Sequence, residues 1–429
     1  MHIRSRYLLA LFLLLCLPGL LSCGRRAREA ATPILTPVSR TSPAGGSETA
    51  AKLGFHTTGA VGDKEYVVIL ADFPDVERSI DTETLSERML WFLGEYFNQA
   101  SYGKLVFEGT MTGPYMLPKS VEEYKVSPVN KEVDRSRVLD LVNDVINLAD
   151  HDVDFSEDLN VMIALGATSA EYGMVGYCAI PGMLGFASDQ PLTTQSGEVV
   201  AKVVVFCETA HLGTFIHDTL HILGGMIDDQ RVTPCLYDHE MQAKYIGGDD
   251  MPKIIINMGF WDPLSSHFPH DWNLPPTGLS SWTKLRLGWI DSDQIALVYP
   301  GETANLRLDP LVGGPAETLV IKIPLSEHTY YLLENRQAVD SDAYLPADGV
   351  LLLYADDRVH ECLDGQAPVK IIDANPSVPY LNDAAFDIGD QETYIDPDNN
   401  LAIVLLSKDD LSYEILITTP DQVKSSQAD

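Results

Sequence analysis

The texture of the chain changes once, near residue 300, and that change limits the architectures open to it. Before it, apolar runs of strand length alternate with stretches whose apolar residues recur every three or four positions. Residues 65–71 form an unbroken apolar run closed by Asp72-Phe73-Pro74-Asp75, which predicts a strand buried on both faces. Leu85, Met89, Phe92, Leu93 and Phe97 then predict a helix over 82–98, and Val138, Leu141, Val142, Val145 and Leu148 predict another over 131–149. Short apolar runs at 105–107, 160–165 and 202–206 predict further strands of a mixed sheet. Beyond residue 300 the helical period disappears. Runs at 305–308, 318–323, 330–334, 350–354, 369–372, 401–406 and 412–417 are short, β-branched or aromatic, and separated by Gly, Pro, Asp and Asn. The pattern predicts an α+β chain ending in an all-β sandwich, with domains over 61–298 and 299–420 and a disordered tail over 421–429.

The 62 Asp and Glu outnumber the 29 Lys and Arg, giving a formal net charge of −33. Such a chain repels phosphate, which argues against nucleic acid as a partner and against electrostatic docking on anionic lipid. With 45% hydrophobic residues, there is ample core for more than one domain.

The N-terminus points outside the cytoplasm. Arg4 and Arg6 precede about 15 nearly all-apolar residues, too few to span ~30 Å of hydrocarbon as a helix, but right for the core of a signal peptide. The run ends Leu20-Leu21-Ser22-Cys23, which resembles a bacterial lipobox. The resemblance implies removal of residues 1–22 and lipidation of Cys23. The membrane is then contacted only through that anchor, and Gly24 after the Cys favours the outer membrane. Residues 24–60, rich in Ala, Thr, Pro, Ser and Gly without a sustained period, read with Cys23 as a flexible tether. Cys178, Cys207, Cys235 and Cys362 remain in the body. They contain no CxxC, and their spacing selects no disulfide pairing.

The chemistry-bearing stretch is Thr214-Phe215-Ile216-His217-Asp218-Thr219-Leu220-His221-Ile222-Leu223-Gly224-Gly225. Ile216, Leu220 and Leu223 form one helical stripe, with Thr214 as a possible N-cap and Gly224 or Gly225 as the stop. On that helix His217 and His221 lie four residues apart and project from one face. Two imidazoles placed this way can share a metal ion, and zinc suits them best at neutral pH. Asp218 stands where HExxH enzymes carry the Glu that activates water. Among 11 His, one such pair is a modest signal by itself; a helical His pair without metal is the plain alternative.

Several segments, in order, resemble the immune inhibitor A-like bacterial secreted metallopeptidases, metallopeptidase family M six. They are Ala71-Asp72-Phe73-Pro74-Asp75, the stretch 96–105, Asp152-Val153-Asp154-Phe155, the helix His217 to Gly224, Gly259-Phe260-Trp261-Asp262, the stretch 281–289, and Tyr331-Leu332-Leu333-Glu334-Asn335-Arg336-Gln337 with Gly349-Val350-Leu351-Leu352. Together they span residues 65–355, about two thirds of the chain. The resemblance implies a zincin-like fold with an active-site helix and a zinc-dependent endopeptidase acting on protein or peptide substrates. His217 and His221 would be zinc ligands and Asp218 the catalytic acid–base group.

The sequence departs from that family at three points. Asp218 replaces Glu and is one methylene shorter, so its oxygens fall short by more than ~1 Å, a displacement that can cost ~10²-fold in rate. Ile227 stands where the family places a third-ligand Asp. Gly225 lets the turn slip by one residue, making Asp228 the preferred third ligand, with the cluster Asp238, His239 and Glu240, or no protein ligand, as alternatives. Leu264 follows Trp261-Asp262-Pro263 where the family has Met, a near-isosteric change, although Pro263 could reshape the turn. These departures keep open a second reading, a catalytically impaired relative serving as a binding or structural surface lipoprotein.

Weaker candidates complete the reading. Asp383, Asp387, Asp390, Asp396, Asp398 and Asn400 form an oxygen-rich stretch that could take calcium but lacks EF-hand spacing. His267 and His270, in a Pro-rich loop, read as surface residues. Glu334 and Arg336, two apart on one strand, point to the same face and read as a structural ion pair.

Overall fold

The inner strands of the first sheet carry near-continuous apolar runs, at 66–71, 161–165 and 203–207, because both faces of that sheet are covered. The computed structural model describes residues 48–155, 158–182, 191–245, 251–313 and 316–426. In it β1 (Gly62–Asp72), β2 (Leu105–Met116), β3 (Asn160–Leu165), β4 (Gly176–Ile180) and β5 (Val203–Cys207) form a sheet in the order β2-β1-β3-β5-β4. All neighbours run parallel except β4, an edge strand antiparallel to β5. Alternation along each strand divides its side chains between two cores. Val67, Ile69, Val161, Ile163, Val203 and Val205 face a cluster shared with the helix α2 (Arg135–Ala149), whose Val138, Leu141, Val142 and Val145 fill it. Val68, Leu70, Met162, Ala164, Val204 and Phe206 face the opposite cluster. There the helix α1 (Phe92–Ala100) and the helix α3 (Leu212–Gly224) cover the sheet through Leu93, Phe97, Phe215, Ile216 and Leu220.

That second cluster does not stop at residue 300. It continues through Trp261, Trp282 and Trp289 into one face of a second sheet. This sheet contains β8 (Ile295–Leu297), β10 (Val320–Pro324), β11 (Thr329–Arg336), β12 (Gly349–Asp356) and β13 (Val369–Ile372), in the order β8-β10-β11-β12-β13. Again the strands are apolar on both faces: Leu332, Leu351 and Leu353 face this shared core, while Leu333, Val350 and Leu352 face the other way. The other face packs on a third sheet, β9 (Ala304–Leu308), β14 (Thr393–Asp396), β15 (Leu401–Asp409) and β16 (Ser412–Thr418), ordered β9-β16-β15-β14 and antiparallel throughout. Leu308, Ile403, Leu405, Tyr413, Ile415 and Ile417 supply its half of that core. The chain is α+β, and the described residues belong to one compact unit.

A fully buried charge cluster ties the second sheet to the segment beneath the first. Arg336 on β11 uses every donor it has: Nε donates to Asp342 (2.7 Å), Nη1 to Glu334 (3.0 Å) and the Trp261 carbonyl (2.9 Å), and Nη2 to Asp342 (2.8 Å) and the Gly278 carbonyl (3.1 Å). The pairing of Glu334 with Arg336 read from their two-residue spacing is thus present and wholly buried.

The ends of the described chain are packed rather than free. In the region read as tether, a helix over Glu48–Leu53 is followed by Phe55, whose ring carries the Arg286 guanidinium 4.8 Å from its centroid. Thr57 N–H donates to the Arg286 carbonyl at 2.8 Å, and Ala60 is fully buried. Contacts of this kind draw residues 48–60 into the body, which their composition did not indicate. At the other end, a helix over Pro420–Ser426 occupies most of the predicted tail. The predicted signal peptide and Cys23 lie outside the described residues, and no described helix is long and apolar enough to cross a membrane.

Candidate metal centre

The helix α3 is set by its ends. His211 caps it, its ring nitrogen accepting from Gly213 N–H, so the helix begins two residues before the predicted Thr214 cap. Gly225 ends it at φ 63°, a left-handed conformation that suits glycine. Between these ends His217 and His221 project from one face, their rings 4.8 Å apart and perpendicular. Each Nδ1 is held by a backbone carbonyl, Pro263 O at 2.8 Å for His217 and Thr233 O at 2.6 Å for His221. A carbonyl only accepts, so each Nδ1 carries the proton and each Nε2 presents a lone pair. Pro263, in the turn after Trp261-Asp262, therefore supplies one of the two carbonyls that orient the pair. Leu264 beside it is fully buried as packing.

Both Nε2 atoms converge on Cys235 Sγ, at 3.5 Å from His217 and 3.4 Å from His221. One thiol proton cannot satisfy two imidazole lone pairs, whereas a cation with a thiolate satisfies all three atoms. A tetrahedral zinc with ordinary Zn–N and Zn–S bonds puts N and S about 3.5 Å apart along an edge, which the two separations match. His217, His221 and Cys235 are the one such group found among the described residues. Burial drives the two His well below their ordinary pKa, which keeps them in the neutral form that ligates, and pushes the metal-free Cys235 thiol up to about 12.

The third member is thus a cysteine rather than the expected carboxylate. Asp228 lies in the exposed turn between β6 (Met226–Ile227) and β7 (Gln230–Arg231), at φ 50°, and is not part of the group. The hairpin sends Asp228 and Asp229 to solvent, and the chain then returns through Thr233 and Pro234 to place Cys235 against His221. Within the alternative cluster, Asp238 caps the helix α4 (His239–Lys244) by accepting from Glu240 N–H and Met241 N–H. Glu240 pairs with Lys131. Only His239 faces the cleft.

Around these three atoms is a cleft whose lining includes Gly176 and Cys178 of β4, Asp218, Arg231, Tyr237, His239 and His267. Asp218 is buried; desolvation raises its pKa well above the ordinary carboxylate range, and its Oδ2 has no hydrogen-bond partner. That oxygen lies 2.7 Å from where a Cβ on Gly176 would sit, so a glycine on β4 is what admits the carboxyl. His267 is not the surface residue expected from its loop. Its ring lies 4.3 Å from that of His217, centroid to centroid, and its Nε2 is buried without a partner. His270 is exposed.

The calcium candidate does not assemble. Asp396 accepts from Tyr331 and Asn399, Asp387 from Tyr413, and Asp383 from Asn375, so these carboxylates serve the protein's own donors, and they form no metal-holding group among the described residues. The four body cysteines are all free and buried. No protein-family model matches the chain, and no curated protein matches it. The likeness to the immune inhibitor A-like peptidases therefore rests on the segments quoted from the sequence.

Proposed function

We propose that this chain is a zinc-dependent peptidase of zincin-like fold, acting on protein or peptide substrates outside the cytoplasm and tethered there through Cys23. The observation that carries the reading is the convergence of His217 Nε2, His221 Nε2 and Cys235 Sγ beside a cleft that also holds a carboxyl. Two imidazoles and a thiolate favour zinc over calcium or magnesium, which take oxygen ligands. A His2Cys set also suits copper, but the described lining of the cleft contains no thioether to serve as the axial ligand of a blue-copper centre. Three protein ligands leave a fourth position open, the arrangement of catalytic rather than structural zinc sites.

A bound zinc supplies Lewis acidity toward a carbonyl oxygen. The chain supplies the rest. The Pro263 and Thr233 carbonyls fix the imidazole tautomers. The edge of β4, unpaired among the described residues, offers backbone groups along which an extended peptide can lie. Asp218 places a carboxyl at the cleft wall.

One observation favours the second reading, a metal-binding surface protein that hydrolyses slowly or not at all: the Asp218 carboxyl is tucked against β4 at Gly176. Metal analysis of the purified chain, with hydrolysis of denatured casein in the presence and absence of a chelator, separates the two. The peptidase reading expects about one zinc per chain and hydrolysis that the chelator abolishes. Zinc without hydrolysis, unrestored by Asp218→Glu, leaves the second reading standing. A zinc-free protein indifferent to His217→Ala overturns both.

A further inference from the structure

We propose that Arg231 is the receptor for a carboxylate of the peptide substrate. The inference rests on the peptidase reading for the peptide nature of the ligand, and on the cleft alone for its charge. Arg231 ends the short strand β7, is 7% exposed, and lines the same cleft as His217, His221 and Cys235. Its Nη2 donates to the Pro181 carbonyl at 2.9 Å, and the guanidinium lies against the Cys178 thiol. Glu361 faces it, yet Arg231 forms no ion pair among the described residues, and Glu361 Oε2 has no hydrogen-bond partner. A guanidinium carries five N–H donors in a planar fork, so one without a direct ion pair can still take a bidentate anion.

His239 adds a buried donor without an acceptor. Asn130 Nδ2, which only donates, lies 3.3 Å from His239 Nδ1, so that nitrogen accepts and Nε2 bears the hydrogen. His239 is 1% exposed, its Nε2 has no partner, and it lines the cleft. A cation without an ion pair among the described residues and an N–H donor without an acceptor thus line one cleft. A carboxylate satisfies both, with a bidentate contact available from the arginine. The surrounding protein, at a formal charge of −33, repels anions, so capture of a carboxylate needs a cation built into the cleft itself.

The carboxylate could come from the end of the peptide or from an Asp or Glu side chain, and calorimetric titration of the zinc-loaded full chain distinguishes them. The probes are one acetylated tetrapeptide as the free acid, the same peptide as the amide, and an amide with an internal Glu. The free acid is expected to bind about 10- to 100-fold more tightly than the plain amide, the range of a charge-assisted hydrogen-bonded pair. Arg231→Met should erase that preference, and Arg231→Lys should restore it in part. An internal-Glu amide that matches the free acid assigns the site to side chains; one that matches the plain amide assigns it to chain ends. Equal binding of acid and plain amide to the wild type overturns the proposal, and this comparison decides even where Arg231→Met does not fold. Casein hydrolysis with equal binding leaves the peptidase standing and removes the carboxylate site. An acid preference lost in Arg231→Met, without casein hydrolysis, does the reverse.

Discussion

Two buried polar clusters, built on neighbouring parts of one core, are finished to different degrees. Around Arg336 every donor is spent on Glu334, Asp342 or a backbone carbonyl. Around His217 and His221, Arg231 has one backbone acceptor and no ion pair among the described residues. Asp218 Oδ2, His239 Nε2 and His267 Nε2 have no partner at all. A buried polar group without a partner costs about 1–3 kcal/mol and a saturated one almost nothing. The first cluster is therefore a fastening, while the second is stabilised only when something enters it. Burial alone does not distinguish the two; the count of unmet hydrogen bonds does.

The contrast can be broken first at the fastening. Arg336→Met should destabilise the chain by about 3–5 kcal/mol, because it strands Glu334 and Asp342 in the core; urea unfolding measures this, and a loss below about 1 kcal/mol would equate the two clusters. In the cleft the expected effect falls on metal instead. Cys235→Ser should weaken zinc binding by more than about 100-fold, exceeding the loss typical of an outer-shell partner, while changing the unfolding midpoint of the metal-free chain little. Competition with a chromophoric chelator reads the first and a urea titration the second.

Gly176→Ala sharpens the comparison on the β4 side. Its new Cβ would come within 2.6 Å of Thr214 Cγ2 and 2.7 Å of Asp218 Oδ2. A cost of about 1–3 kcal/mol is expected from this overpacking, and the displaced Asp218 carboxyl should shift any pH profile of hydrolysis.

The smallest effect is in the acid limb of stability. Burial holds His239 at a pKa of about 3, whereas the unfolded chain takes that proton near 6.5. Between those values the unfolded state binds more protons than the folded one, so this group's contribution is intact above about pH 6.5 and is lost as the pH falls toward 3. The wild type should therefore lose stability over that window more steeply than His239→Asn, by up to one proton's slope. Parallel curves for the two proteins would mean that His239 is not held neutral by burial.

Elements with an internal period were legible in the sequence. The strand at Asn160–Leu165 and the strand at Val369–Ile372 fall where their apolar runs place them, and α2 ends at the predicted Ala149. β4 was not legible: it is five residues long, carries Gly176 within it, and holds its place by pairing with β5. Yet it walls the cleft. The pairing of His217 with His221 was legible because four residues along a helix define one face, whatever surrounds them.

The identity of the third member of the candidate metal group was not legible in that way. Cys235 lies 14 residues beyond His221 and reaches it only because the β6–β7 hairpin folds the chain back. Asp228, nearer in sequence, sits on the outside of that hairpin. The same holds for His267, brought against His217 from 50 residues away. Local period and spacing are properties of the backbone alone, so the sequence determined the helix, its paired imidazoles and the doubly buried strands. Which thiol, guanidinium and imidazole complete the cleft depends on how distant turns close over one another, and only the packed tertiary structure decided that.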